Sequence, residues 1–177
     1  PFYTIHDSRY MMYWLSLTPE EYESYTDSLA NIEAKKLALE KRTIDYVATG
    51  EQQPESDHFM EKKNSGTGNN RDEFWRSAHG DGYFSYQMKT NKETGLSLML
   101  RYFGFEWGDK RFDIYIDDER LTSVNTKEHT RISQFQEMSY EIPDSMLDGK
   151  KSIRVKFQPR EGSATSEIYF LRLIRNQ

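Results

Sequence analysis

Apolar and polar positions divide the chain into three stretches with different periods. Over residues 1–17 they alternate loosely, Phe2, Thr4 and His6 against Tyr3, Ile5 and Asp7, and then run together through Tyr10, Met11, Met12, Tyr13, Trp14 and Leu15. A period near two with this aromatic content predicts one or two short strands. They read as the end of a preceding β domain, with aromatics packed on the next helix or on a neighbour beyond it. From Thr18 the spacing changes to three and four, through Tyr22, Tyr25, Leu29, Ile32 and Lys36 with Leu37, which is the stripe of an amphipathic helix. Thr18 is a good N-cap, Pro19 suits the first helical position, and Glu21 completes a capping box. Glu33, Lys35, Glu40 and Lys41 fall on the wet face, and Gly50 is a stop. The spacing predicts a helix over 18–47, making residues 18–48 a helical connector.

Residues 49–177 return to period two. EQQPESD is a polar entry and NSGTGNN reads as a flexible loop. GYFSYQM sets Phe84 and Tyr86 against Tyr83 and Ser85. LSLMLRYF puts Leu96, Leu98 and Leu100 on one side, and RFDIYID turns Phe112, Ile114 and Ile116 inward. DDER is a tight hairpin turn into LTSV, and FQEMSYEIP, KSIRVKFQ and EIYFLRLIR complete the set. Short alternating segments at roughly 8–12-residue spacing without helical pattern between them predict an antiparallel β-sandwich or jelly roll. The fold class is therefore mainly β: a sandwich over 49–177, preceded by one long helix and a short strand segment.

Composition narrows what this architecture could do. The aromatic content of 14% supplies a core, and the formal charge of −5 favours neither nucleic acid nor an anionic membrane. No apolar run approaches the ~20 residues of a membrane-spanning helix. The absence of cysteine excludes a disulfide framework, a thiol nucleophile and thiolate metal sites. A chain that begins at Pro1 is expected to be a piece of a longer protein. There is no nucleophile elbow, phosphate-binding loop or zinc-protease motif, and His6, His58, His79 and His129 are scattered. No catalytic residue is expected in this chain.

Binding is better supported. In DHFMEKKNSGTGNNRDEFWRSAHGDGYFSY, a strand carrying Asp57 and His58, a polar loop, Trp75–Arg76 and an aromatic strand with Tyr83 would gather planar and polar groups. Sugars are held that way, with a ring face on C–H groups and charged or amide groups on hydroxyls. Against this, Phe84 and Tyr86 read as core, Arg76 could pair with an acid, and Trp75 fits either role. FGFEWGDKRFD offers a second platform, Trp107 with Glu106 on a loop bounded by Gly104 and Gly108, which could equally fold back as a lid. Asp117, Asp118 and Glu119 are adjacent acids of the kind calcium takes, but adjacent acids in a hairpin turn are more simply solvated. The candidate sugar contacts are thus Asp57, His58, Trp75, Arg76, Tyr83 and Trp107, with no metal ligand.

The ordered series PFYTIHDSRYMMYW, SLANIEAKKLALEKRTIDYV, GEQQPESDH, NSGTGNNRDEFWR and GYFSY resembles the C-terminal region of bacterial β-L-arabinofuranosidases of glycoside hydrolase families 146 and 127. The resemblance implies an upstream (α/α)6-barrel catalytic domain, with zinc and a cysteine nucleophile there and none here. It implies that this chain is a non-catalytic, carbohydrate-binding-module-like domain that binds or positions arabinose-containing plant polysaccharide. The alternative is a structural domain that only buttresses the barrel. It further implies an exported, periplasmic or cell-surface home in a Gram-negative bacterium such as a member of the Bacteroidetes. No cofactor is implied for this domain.

Overall fold

The computed structural model describes residues 16–106, 108–129 and 131–176. The strands expected before residue 16 and the candidate Trp107 lie outside the described residues. The chain falls into two compact units, residues 1–38 and 39–177.

Helix α1 spans Pro19–Arg42. Its capping box is formed reciprocally: Thr18 Oγ1 accepts from Glu21 N (3.2 Å), and Glu21 Oε2 accepts from Thr18 N (2.8 Å). Pro19 brings no amide hydrogen, so three orphan amides remain at this end, and two of them are handled this way. No residue of α1 is buried, and Tyr22, Tyr25, Leu29 and Ile32 are exposed. The helix stops five residues short of the end that the sequence pattern predicts. Thr43–Ala48 is instead strand β1, because its β-branched and aromatic residues fit a pleated surface better than a helix turn.

The remainder is an antiparallel β-sandwich. After β1 come a short helix, α2 (Gln52–Asp57), and strands β2 (Glu61–Asn70), β3 (Glu73–Lys89), β4 (Leu96–Phe103) and β5 (Arg111–Ile116). They are followed by β6 (Glu119–Asn125), β7 (Phe135–Glu141), β8 (Ser152–Pro159) and β9 (Ile168–Arg175). The strand order is β6-β5-β8-β3-β9-β4-β7, with β1 added against β9 and β2 against β3. The long strand β3 passes between layers: residues 84–89 pair with β8, while Arg76 pairs with Ile168 of β9.

The inward positions predicted from alternation form the core. Phe84, Tyr86, Leu96, Leu98, Leu100, Phe112, Ile114 and Ile116 are all buried in one cluster with Val155, Phe157, Leu171 and Leu173. The DDER turn is a two-residue hairpin with Asp117 and Asp118 both at positive φ (47° and 69°), as a primed turn requires. Both acids face solvent, Asp118 almost fully, and each also meets a lysine. Asp117 pairs with Lys150 (2.9 Å) and Asp118 with Lys156 (2.6 Å).

Two further expectations need correction. NSGTGNN is not a loop: it forms most of β2, in register with β3 from Ser65↔Ala78 to Asn70↔Glu73. The hairpin turns at Arg71 and Asp72, again at positive φ (51° and 65°). Asp57 and His58 are not on a strand, since Asp57 ends α2 and His58 is its C-cap.

Candidate functional site

Among the described residues, those singled out in the sequence are not gathered into one place. Arg76 is an interior group. Its Nε and Nη2 donate to Oε1 and Oε2 of Glu55 (both 2.6 Å), and its Nη1 donates to Ser65 Oγ (3.1 Å). Glu55 Oε1 also accepts from Tyr86 OH (2.7 Å) and Gly50 N (2.8 Å). Burial alone would raise the Glu55 carboxyl, but the hydrogen bonds from Arg76, Tyr86 and Gly50 outweigh it and hold the group below its ordinary value. With both partners 3% exposed, this bidentate pair staples α2 to β3 and presents nothing to a ligand.

His58 and Asp57 point to different tasks. His58 Nδ1 donates to the Pro54 carbonyl (2.7 Å), and its Nε2 lies 3.1 Å from Asp45 Oδ1, tying α2 to β1. Asp57 is exposed and accepts from Gln53 Nε2 (2.7 Å). Tyr83 is half-buried and sits opposite Lys63 in the β2–β3 ribbon. Trp75 is half-buried too, with its indole lying flat over Gly68, the cross-strand partner whose missing side chain leaves room for it.

Glu106, on the loop that follows β4, turns inward. One carboxylate oxygen accepts from Glu167 N (3.1 Å), while the other is buried beside the Ser166 hydroxyl. Burial pushes this carboxyl up to about 7. It lines a small recess with Phe103, Thr126, His129, Arg131 and Ser166.

The richest surface lies elsewhere, on the outer face of the layer β1-β9-β4-β7. Alternation along β4 turns Leu98, Leu100 and Tyr102 into the core and Met99, Arg101 and Phe103 outward. Register then builds rows across the strands. Tyr46, Arg172 and Met99 are cross-strand neighbours, as are Phe170, Arg101 and Glu137, and Phe103 faces Phe135. The side chains of these rows stack into a continuous ladder. The Arg172 guanidinium lies 4.8 Å from the Tyr46 ring centre and 5.6 Å from that of Phe170. Arg101 follows, 5.8 Å from Phe170 and 4.4 Å from Phe135. The Phe135 ring meets Phe103 edge-on at 5.4 Å, and Arg71 caps Phe103 at 5.1 Å. Glu73, on β3, reaches this face by pairing with Arg101 (2.7 Å). Trp75, two residues on in β3, lies on the same side of the strand as Glu73.

Each guanidinium over a ring is worth roughly 0.5–2 kcal/mol depending on its desolvation. Packing between rings also limits the rotamer freedom of the arginines. Tyr46 remains 41% exposed, an open aromatic plane beside a fixed cation. Burial raises its phenol above the ordinary value and Arg172 opposes the rise. Sequence reading missed Tyr46 because it lay in an assumed helix, and Arg101 and Arg172 because each was the polar tooth of an alternating strand. The signal available was that these teeth were arginine beside aromatic positions in three segments at once.

The model of a family of unknown function, DUF6805, matches residues 38–174. No curated protein matches the chain in sequence. Among solved structures, a family 35 carbohydrate binding module from an environmental isolate aligns over 74% of this chain and 93% of its own, with 12% identity and a TM-score of 0.54. A family 35 carbohydrate binding module from Clostridium thermocellum aligns over 66% and 92%, with 8% identity and a TM-score of 0.50. At these identities the likeness is one of fold.

Proposed function

Because the chain belongs to DUF6805, a family whose description assigns no function, the reading must rest on the site, and we propose that residues 39–177 form a non-catalytic carbohydrate-binding domain. The observation that carries this reading is the ladder of rings and guanidiniums on one face of a sandwich shaped like carbohydrate binding modules. Ring planes stack on the C–H faces of sugars, and planar guanidiniums give directional hydrogen bonds to their oxygens. Tyr46 supplies the plane and Arg172 the polar contact.

The finer reading follows the sequence resemblance. The domain serves a β-L-arabinofuranosidase of the family 146 or 127 kind, positioning arabinose-containing plant polysaccharide for an upstream barrel, in an exported enzyme of a Gram-negative bacterium. Titration of the chain with arabino-oligosaccharides by calorimetry tests it. Saturable heat at millimolar sugar or below is expected, lost in Tyr46→Ala. Silence toward every oligosaccharide would favour the second reading, a purely structural domain. That second reading draws on Arg101 and the Arg76–Glu55 pair, whose charges are already met within the domain.

A further inference from the structure

The three arginines of the ladder differ in how their charge is met. Arg101 is neutralised on both sides, by Glu73 (2.7 Å) and Glu137 (3.1 Å). Arg172 and Arg71 make no ion pair among the described residues. Arg172 Nη1 donates to Thr43 Oγ1 (2.9 Å) and Arg71 Nη2 to Ser133 Oγ (3.1 Å). The Nε of Arg172 is buried and has no hydrogen-bond partner among the described residues. The face thus carries two uncompensated guanidiniums on a chain whose formal charge is −5.

Arg172 is the better placed of the two. The rings of Tyr46 and Phe170 both lie within about 6 Å of its guanidinium, and no carboxylate among the described residues is within ion-pair distance of it. A guanidinium held this way matches a planar carboxylate through two parallel hydrogen bonds, a match that neither a hydroxyl nor a lysine reproduces. Tyr46 stands beside it with an open ring. A carboxylate adjacent to a stackable ring of C–H groups describes a uronate.

We propose that this face selects a uronate residue in a polysaccharide, with Arg172 holding the carboxylate and Tyr46 stacking on the sugar ring. The proposal rests on the carbohydrate-binding reading above and names its substrate class. An acidic peptide fits the same charge less well. Strands β9 and β4, which carry Arg172, Phe170 and Arg101, are each paired on both sides, so a peptide would have to add at the outer edges, along β1 or β7, rather than over the guanidiniums.

The test compares ligands on the unaltered chain before any substitution. Oligogalacturonate, the same oligomer with its carboxyls reduced to hydroxymethyl groups, neutral arabino-oligosaccharide, a sulfated galactan and poly-glutamate are titrated at low and at physiological salt. Oligogalacturonate is expected to bind about tenfold or more tighter than its reduced form, the size of one charge-assisted pair. Arg172→Met should bring that ratio close to one, and Arg172→Lys should leave it intermediate. Equal binding of the native and reduced oligomers overturns the proposal, as does a ratio that survives Arg172→Met with an unchanged Tm. Equal binding of the sulfated galactan overturns the carboxylate assignment, and tighter binding of poly-glutamate overturns the sugar. Neutral oligosaccharide bound with no advantage for the acid removes this proposal and leaves the broader reading standing, whereas silence toward all glycans removes both.

Discussion

Glu106 carries a cost that depends on pH. Its carboxyl is pushed from 4.5 up to about 7 by burial. A carboxyl raised on folding contributes its stability in the protonated form. That contribution is full below the unfolded value near 4.5 and is lost as pH rises through 7. The shift corresponds to roughly 3 kcal/mol between pH 4 and pH 8. Burial lowers His129, in the same recess, which by itself gives a slope of the opposite sign at lower pH. Comparing wild type with Glu106→Gln isolates the carboxyl. Urea melts should show the wild type losing stability relative to the variant from pH 5 to pH 8, and a constant difference would sink the assignment. None of this was legible from FGFEWGDKRFD, where the glycines on either side marked a loop but nothing announced that its acid turns inward. Arg76 was legible only as an alternative, because whether an arginine meets an acid depends on Glu55, twenty-one residues away and on another element.

Elements were read well where one period held and badly where composition misled. The alternation of LSLMLRYF and RFDIYID placed β4 and β5 and their inward faces, because a strand covered on one side must keep strict period two. The β2 segment failed that reading. Its glycines and asparagines resemble a linker, but Gly68 is there so that the Trp75 indole can lie across the strand. A side chain at Gly68 would occupy the space of the ring. Gly68→Ala should therefore swing Trp75 outward, red-shifting and broadening its emission while the core of the sandwich still melts cooperatively. Unchanged fluorescence in that variant would contradict the stacked arrangement. At the other end, the stop of α1 was missed because its stripe continues in register into Thr43–Ala48, and only the pairing of that segment with β9 makes it a strand.

At the scale of the whole molecule, the antiparallel sandwich was foreseeable from the spacing of its strands, but the strand order was not. Neighbours such as β3 and β8 or β4 and β9 are far apart in sequence, and alternation alone does not choose among partners. The same order places β1 directly against β9, with Thr43 opposite Ile174 and Ala48 opposite Phe170. Tension that enters the sandwich at Thr43 and leaves at Ile174 therefore falls on one cross-strand pair at a time, and β1 opens like a zipper. Tension applied between Ala48 and Ile174 runs along both strands and loads all their bonds together. Single-molecule pulling should detach β1 at clearly lower force in the first geometry than in the second, and equal forces would contradict the register. A sandwich strung into a chain under load would then yield first by releasing this one strand, lengthening as a compliant joint while the remaining layers stay folded.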